Sequence, residues 1–229
     1  MFLLIKTVVK RMIGIVPSII GKYYGIKFTS QWFQDLIAFL YLKKNGIGFY
    51  IDIGANDGIT FSNTYVFEQL GWKGICIEPQ PDIFLELQKN RKCSLYNVAI
   101  ADRSSEFINF VKVNGPNMLS GLDDQMSEDH KKRIINEGGS IEYIKVKTLS
   151  FDDMMKDHPE QTFMDFLSID TEGGELSILK AIDFVKYRFG LISIENNEPG
   201  DTLVKFMQAR GYKTFIKLRG DIMFIQNSK

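Results

Sequence analysis

FYIDIGANDG, residues 49–58, decides the fold: the apolar run 49–53 leads directly into the loop Gly54-Ala55-Asn56-Asp57-Gly58. A short apolar run bounded by glycines is typical of a strand buried in a parallel sheet. Gly54 and Gly58 allow the backbone to turn tightly and to approach a ligand closely. Because ligands of doubly wound folds bind beyond the carboxyl ends of the strands, the stretch predicts a binding loop at a sheet edge.

Strands and helices alternate along the rest of the chain. Helices are predicted over 30–43, 62–70, from Pro81, and over 174–182 and 201–210, and strands over 74–78, 95–100, 166–170 and 190–195, with extended pieces at 105–113 and 141–149. Residues 212–225, with a turn near Arg219-Gly220-Asp221, predict an antiparallel hairpin. The alternation predicts an α/β fold with a doubly wound, mostly parallel sheet.

The composition fits one globular domain of 229 residues, 45% of them hydrophobic. Its 28 Lys and Arg residues balance 28 Asp and Glu residues. Because a nucleic-acid surface normally shows a basic excess, we expect no nucleic-acid partner. Cys76 and Cys93 make neither a disulfide framework nor a zinc site, which favours a cytoplasmic location.

The first 25 residues are predicted to be an amphipathic helix and extension, with a break over 17–25, that precedes a domain at 26–229. Lys6, Lys10 and Arg11 fall on one stripe of this helix, and apolar side chains surround the rest. Two interpretations stay open for residues 1–20: a peripheral contact with the inner face of a membrane, or packing against the domain itself or a second subunit.

Residues 114–140 interrupt the alternation of strands and helices. The segment is polar, contains four glycines, and carries an acidic cluster at 123–129. We expect an insertion or lid over the sheet. His130 lies in this segment and is a candidate for a base that swings over a substrate.

A second acidic residue, Glu78, ends the strand that follows the glycine loop. A carboxylate at this place can bind both hydroxyls of a ribose. The loop lacks the Gly-x-Gly-x-x-Gly spacing of a dinucleotide site, and Asp52 and Asp57 would repel a pyrophosphate. These carboxylates suit a ligand with an amino group and a sulfonium, which predicts S-adenosylmethionine as cofactor, held by Asp52, Gly54, Ala55, Asn56, Gly58 and Glu78.

Acidic and amide side chains also follow two later strands. Asp170 and Glu172 follow one strand, and Glu195 and Asn196 end the next. Asp170, Glu195 and Asn196 together form an all-oxygen ligand set suited to Mg²⁺ or another divalent cation. The alternative is metal-free chemistry, in which Asp170 or Glu172 acts directly as a general base. Both interpretations stay open.

The run FYIDIGANDG…SNTYVFEQLGWKGICIEPQP, with NVAIAD and LSIDTEGGELSIL further on, resembles the FkbM family of methyltransferases over about 30–226. The resemblance implies a Rossmann-like class I methyltransferase with a seven-stranded sheet, and O-methylation of a hydroxyl on a sugar or natural product. It also implies that Gln31, Gln34 and Asp35 approach the methionine end of the cofactor, and that Asn97 and Ala99 lie near the adenine. The acid Asp170 and the acid–amide pair Glu195-Asn196 resemble the metal ligands of metal-dependent O-methyltransferases.

The expected function is therefore O-methylation of a sugar, a nucleotide-sugar or another polysaccharide-pathway acceptor, with a small molecule or glycan as partner. N-methylation of a small amine is an alternative, and so is a non-catalytic binding module docked by the N-terminal helix. Dinucleotide-dependent chemistry is disfavoured by the loop spacing.

Overall fold

The computed structural model describes residues 15–42, 46–114, 120–122, 132, 135–136, 138–197 and 200–227. The strands in these ranges are β1 (Phe49–Ile53), β2 (Lys73–Ile77), β3 (Ser94–Tyr96), β4 (Ala99–Ala101), β5 (Ser105–Asn114), β6 (Gly121–Leu122), β7 (Ser140–Ser150), β8 (Phe163–Ile169), β9 (Arg188–Glu195), β10 (Tyr212–Leu218) and β11 (Asp221–Gln226). The helices are α1 (Ile15–Tyr24), α2 (Gln34–Leu42), α3 (Tyr65–Gln69), α4 (Pro81–Asn90), α5 (Phe151–Met155), α6 (Glu175–Ala181) and α7 (Thr202–Gln208).

Within the described ranges, the central sheet has seven strands in the order β10-β11-β9-β8-β1-β2-β3. Strands β3, β2, β1, β8 and β9 pair in parallel, and β11 is antiparallel to both β9 and β10. The expected α/β fold with a mostly parallel sheet and a terminal hairpin is confirmed. Because β1, β2, β8 and β9 are parallel, their carboxyl ends all lie at the same end of the sheet, where the site is expected.

Hydrophobic side chains cover both faces of this sheet, which explains why its central strands β1, β2, β8 and β9 are mostly apolar. Ile51 and Ile53 pack in one cluster with residues of α6 and α7, whereas Tyr50 packs in the other with residues of α2 and α3. Asp52 lies on the same side of β1 as Tyr50, because successive side chains of a strand point to opposite faces. It is 3% exposed, so the sheet carries this carboxylate into the protein interior.

The structure also contains a second sheet, with the order β4-β7-β5-β6, which the sequence analysis did not predict. The strand expected over 95–100 is divided: β3 joins the central sheet, and β4 pairs with β7 in the second one. The extended pieces at 105–113 and 141–149 pair antiparallel as β5 and β7. Partner choice between two sheets depends on long-range pairing, which the pattern of one strand does not encode.

At the N-terminus, the break expected over 17–25 is wrong, because Ile15–Tyr24 form helix α1. The helix ends at Gly25, whose φ is +68°. The predicted amphipathic stripe at Lys6, Lys10 and Arg11 lies outside the described residues. None of the described helices has the length and apolar character needed to span a membrane.

The helix expected over 30–43 begins only at Gln34, because residues 30–33 form a turn in which Phe33 has a φ of 67°. Helix α5, which the pattern of alternation did not predict, begins after Ser150, whose hydroxyl accepts a hydrogen bond from the Asp153 N–H. Most of the insertion predicted over 114–140 lies outside the described residues, and so does His130.

Candidate functional site

A cleft of about 430 Å³ opens at the carboxyl ends of β1, β2, β8 and β9. Six carboxylate side chains line it: Asp52, Glu78, Asp170, Glu172, Glu195 and Asp221. Among the described residues, no Lys, Arg or His side chain lines this cleft. Such a site attracts cations and repels anions, more strongly where the carboxylates are removed from solvent.

The glycine loop after β1 forms one wall of the cleft. The amides of Gly54 and Ala55 donate hydrogen bonds to the carbonyl of Ile77, at 3.0 and 2.9 Å, which ties the loop to the end of β2. Gly54 and Gly58 have φ angles of +85° and +83°, a region that favours glycine. A Cβ on Gly54 would lie 1.8 Å from the Asp170 carbonyl oxygen, so this glycine allows β1 and β8 to meet closely at the site.

Glu78, directly after β2, is 5% exposed and held by two backbone amides. Its Oε2 accepts from the Asn56 N–H at 3.0 Å and its Oε1 from the Gln80 N–H at 2.9 Å. Burial raises the pKa of Glu78 to about 7, although both hydrogen bonds oppose this shift. The carboxylate is therefore preorganised by the loop and faces the cleft.

This raised pKa makes Glu78 a source of pH-dependent stability in the ligand-free protein. A carboxyl whose pKa rises on folding from 4.5 to about 7 contributes stability that is fully present below 4.5 and lost as the pH passes 7. We expect the wild type to lose about 3 kcal/mol of unfolding free energy across this window relative to Glu78→Gln. Urea unfolding of both proteins at a series of pH values measures the difference.

The matched control is Glu86→Gln, which changes a carboxylate on α4 that is about half exposed and paired with Lys89. Its unfolding free energy is expected to stay parallel to the wild-type curve over the same pH range. Parallel curves for Glu78→Gln as well would show that Glu78 does not titrate in this window.

Asp52 lies deeper, and its Oδ2 accepts a hydrogen bond from the Thr64 hydroxyl at 2.6 Å. Burial raises the pKa of Asp52, while the charge of Arg91 and the Thr64 hydroxyl act in the opposite direction. Next to it lies Asn63, whose amide donates to the Ser168 hydroxyl at 3.1 Å. The Oδ1 of Asn63 is buried and has no hydrogen-bond partner among the described residues.

A second group of carboxylates lies across the cleft. Asp170, Glu172 and Glu195 each offer an oxygen, and these oxygens lie within 4.8 Å of one another. Burial, followed by the negative charges of Glu195 and Glu172, raises the pKa of Asp170 well above its ordinary range. Burial and the charge of Glu175 raise the pKa of Glu195 to about 7. The carboxylates therefore strongly oppose one another's ionisation unless a cation or a proton joins them.

Glu175 supports this group from the first turn of α6 and is 1% exposed. Its Oε1 accepts from the backbone N–H groups of Thr171 and Gly173, at 3.1 and 3.0 Å. Its Oε2 is buried and has no hydrogen-bond partner within the described part of the chain. Glu175 thus shapes the loop that carries Asp170 and Glu172 and leaves a buried carboxylate oxygen unsatisfied.

Asp221 is a lining carboxylate that the sequence analysis missed. It begins β11, where it stands opposite Glu195 of β9, and its Oδ2 accepts from the Gln34 amide at 2.7 Å. Burial raises its pKa to about 6. The predicted hairpin held no sufficient signal, because the place of Asp221 beside Glu195 depends on β11 pairing with β9 in this register.

Of the other predicted residues, Gln31, Gln34, Gly54, Ala55 and Asn56 line the cleft. Asp35 and Asn97 do not. Asp35 accepts hydrogen bonds from the N–H groups of Thr29 and Ser30, and the Asn97 amide donates to the carbonyls of Glu78 and Pro79. Both side chains shape the backbone beside the cleft.

Three more of the predicted site residues, Ala99, Gly58 and Asn196, do not line the cleft. Ala99 lines a small apolar slot that shares Gly54, Pro79 and Thr171 with the cleft. Gly58 does not line the cleft and packs on Arg91 and Leu87. Asn196 does not line it either; Asn197 does, and its amide donates to Glu195 Oε2 at 2.6 Å.

Two aromatic side chains, also missed by the sequence analysis, line the mouth of the cleft. Phe61 is 52% exposed and has a φ of 56°, a conformation that is rare for a bulky residue. Trp32 also lines the cleft, and the guanidinium of Arg219 lies 3.8 Å from its ring centroid. The mouth therefore offers apolar ring faces above a carboxylate-lined interior.

Comparison with known proteins gives one family match. The family model of the methyltransferase FkbM domain matches residues 52–214, which include most of the cleft. No curated protein sequence matches the chain.

Several solved structures are similar to this one. A methyltransferase from Geobacter sulfurreducens is 11% identical, with 93% of this chain and 88% of that chain covered and a TM-score of 0.45. A putative RNA methyltransferase from Pyrococcus horikoshii is 12% identical, with coverages of 85% and 84% and a TM-score of 0.41. The N-terminal domain of human METTL16 in complex with SAH is 13% identical, with coverages of 92% and 79% and a TM-score of 0.43.

Proposed function

The chain belongs to the FkbM methyltransferase family, and from this membership we propose that it transfers the methyl group of S-adenosylmethionine to a hydroxyl of a neutral sugar acceptor. The observation that carries the proposal is the lining of the cleft by six carboxylates, with no cationic side chain among the described residues. This lining suits a positively charged cofactor and disfavours an acceptor that carries phosphate groups.

For the cofactor, the arrangement of Glu78, Asp52 and the apolar slot supports three contacts. Glu78, fixed by two backbone amides, is suited to accept hydrogen bonds from both ribose hydroxyls. Asp52 supplies negative charge near the glycine loop for the amino and sulfonium groups. The slot at Ala99 is apolar and adjoins the cleft at Gly54, but its volume of about 30 Å³ is too small for the whole adenine ring, so we place only an edge of that ring at its entrance.

For the acceptor, the aromatic mouth and the carboxylates provide complementary contacts. Phe61 offers a ring face on which the apolar face of a sugar can pack, and Trp32 offers the face that the Arg219 guanidinium does not cover. Glu195 and Asp221 can accept hydrogen bonds from the sugar hydroxyls. A phosphorylated acceptor such as a nucleotide-sugar or a nucleic acid would place negative charge among these carboxylates. Of the acceptors expected from the sequence, the uncharged ones are therefore favoured.

For the reaction, S-adenosylmethionine supplies a methyl group on a cationic sulfur, which leaves as a neutral thioether when the acceptor oxygen takes the methyl. Asp170 is the proposed proton acceptor for that oxygen, because its carboxyl group lines the cleft directly after β8 and its backbone meets the glycine loop at Gly54. Glu172, on the same loop, would help to orient the acceptor. The glycine loop and Asp170 meet at the same sheet edge, which aligns the two substrates.

The residues present also fit a divalent cation. Three carboxylate oxygens from Asp170, Glu172 and Glu195 lie within 4.8 Å of one another, and a buried oxygen of neighbouring Glu175 has no partner among the described residues. Asp170 and Glu195 were expected ligands, and Glu172 takes the place expected for Asn196. A cation bound there would lower the pKa of the acceptor hydroxyl.

N-methylation of a small amine stays a second candidate, because an all-carboxylate cleft also suits a protonated amine. Deprotonation of the amine by Asp170 would serve this reaction equally well. The two candidates differ in the charge that the acceptor carries when it binds.

The experiment starts with calorimetric titration of the full chain with S-adenosylmethionine and, separately, with NAD. We expect S-adenosylmethionine alone to bind. Methyl transfer from the labelled cofactor is then measured with paired panels: neutral sugars, the same sugars as phosphates or nucleotide conjugates, and small amines, each in EDTA and in Mg²⁺. Transfer to neutral sugars supports the proposal, whereas transfer only to phosphorylated acceptors or only to amines contradicts it. Lack of cofactor binding would remove the whole proposal.

A further inference from the structure

Arg91, the residue after α4, is a buried cation with no part in the proposed reaction. It is 3% exposed, and its Nε pairs with Glu68 Oε2 at 2.7 Å. An arginine keeps its charge at any ordinary pH and carries five N–H donors that all need partners when buried. The positions of these partners indicate what the side chain does.

The five donors divide between an anchor in the core and residues 54–64, the segment between β1 and α3, which is called the cofactor loop below. On the anchor side, Nε donates to Glu68 and Nη2 to the Tyr50 hydroxyl, at 2.7 and 2.8 Å. On the loop side, Nη1 donates to the Gly58 carbonyl at 3.0 Å and, more weakly, to the Ser62 hydroxyl at 3.4 Å, and Nη2 donates to the Thr64 hydroxyl at 3.1 Å. Arg91 thus joins a fixed part of the core to the loop.

Thr64 links Arg91 to Asp52, which lines the cleft. Its hydroxyl accepts from Arg91 and has one proton to give, which it donates to Asp52 Oδ2 at 2.6 Å. Thr64 is fully buried, so no water competes for the contact. A chain of two hydrogen bonds therefore leads from the guanidinium to the carboxylate that faces the proposed cofactor.

Packing strengthens the same connection. A Cβ on Gly58 would lie 2.5 Å from Arg91 Cγ, so the side chain lies directly beneath the loop. The loop cannot move towards Arg91 without a clash, and moving away from it breaks the hydrogen bond to the Gly58 carbonyl.

We infer that Arg91 is a positioning residue, which supports the cofactor loop from beneath and, through the Thr64 hydroxyl, holds the Asp52 carboxylate in the orientation that binds the cationic part of the cofactor. The inference rests on the proposed use of S-adenosylmethionine. Arg91 itself does not line the cleft.

The test is calorimetric titration of full-length variants with S-adenosylmethionine. Thr64→Val keeps the size of the side chain but can neither accept from Arg91 nor donate to Asp52, and we expect it to weaken cofactor binding about tenfold or more. Thr64→Ser keeps the hydroxyl and is expected to restore most of the affinity. This rescue separates a role of the hydroxyl from a role of packing.

Thr148→Val is the matched control. Thr148 in β7 is 1% exposed, and its hydroxyl has no hydrogen-bond partner among the described residues. The same change at this buried site is expected to leave cofactor affinity unchanged.

A double-mutant cycle tests the part of Arg91. Arg91→Lys keeps the charge but loses the fork of donors, and it is expected to weaken binding in the wild-type background and much less in the Thr64→Val background.

If Arg91→Lys does not fold, the three threonine variants still test whether the Thr64 hydroxyl holds Asp52 for the cofactor. Wild-type affinity in Thr64→Val, or failure of Thr64→Ser to restore binding, would overturn the inference, and additive effects would exclude the route through Thr64. A wild type that does not bind S-adenosylmethionine would instead overturn the proposed function, and this inference with it.

Discussion

Asp170→Asn is expected to lower the rate of methyl transfer by about 10²–10⁴-fold while the chain still binds S-adenosylmethionine. Asn has the same shape but cannot take a proton from the acceptor, and it is a weaker ligand for a divalent cation. Because the burial and the charges of Glu195 and Glu172 already oppose ionisation of Asp170, its loss should relieve repulsion and leave stability equal or higher. Single-turnover rates with saturating cofactor, alongside calorimetric affinity, measure the two effects separately.

The matched control is Asp165→Asn. Asp165 lies on the same strand β8, but near its amino end and so at the end opposite to the cleft. Asp165 Oδ2 accepts from the Phe49 N–H at 2.9 Å, and an asparagine oxygen can accept the same bond. Wild-type turnover is therefore expected in this variant. Wild-type turnover in Asp170→Asn as well would remove Asp170 from the reaction and direct attention to Glu172.

Gly54→Ala is expected to have the second large effect, on both stability and cofactor binding. The new Cβ would lie 1.8 Å from the Asp170 carbonyl oxygen, and the residue has a φ of +85°. The strain of this φ together with the forced separation of β1 and β8 should cost about 2–5 kcal/mol of unfolding free energy. Since Asp52 lies on β1 and Asp170 directly follows β8, cofactor affinity and turnover should fall together.

Gly71→Ala provides the control for backbone strain alone. Gly71 has a φ of +80°, but no atom lies within 4 Å of the position of its Cβ. It should lose only about 1–2 kcal/mol and keep wild-type cofactor affinity. Thermal unfolding and calorimetry of both variants distinguish the clash from the strain, and equal losses would contradict the role given to the close approach of the strands.

Much of the fold could be predicted from local patterns. The apolar run at 49–53, the alternation after it and the turn at Arg219-Gly220-Asp221 predicted the parallel sheet and its hairpin, because burial on both faces and turn chemistry each leave a mark on neighbouring residues. The division of residues 94–101 between two sheets and the turn at 30–33 could not be predicted, since both depend on contacts with distant segments.

The candidate site divides in the same way. Asp52, Glu78, Asp170 and Glu195 were predicted because a side chain that ends a parallel strand must lie at the binding edge, whatever the neighbours of that strand are. Asp221 was missed because its place beside Glu195 depends on β11 pairing antiparallel with β9. Arg91 was missed because its partners at Gly58, Ser62 and Thr64 come from a loop about thirty residues earlier.

The sequence by itself determined the apolar strands of the parallel sheet, the turn at Arg219-Gly220-Asp221 and which acids stand at strand ends, because these properties depend on spacing along the chain. Only the tertiary structure decided which of those acids share one cleft, that Asn197 lies there while Asn196 does not, and that a buried arginine packs beneath the loop. The physical reason is that a side chain's pKa and hydrogen-bond partners depend on the atoms packed around it, and strand order brings those atoms together from distant parts of the chain.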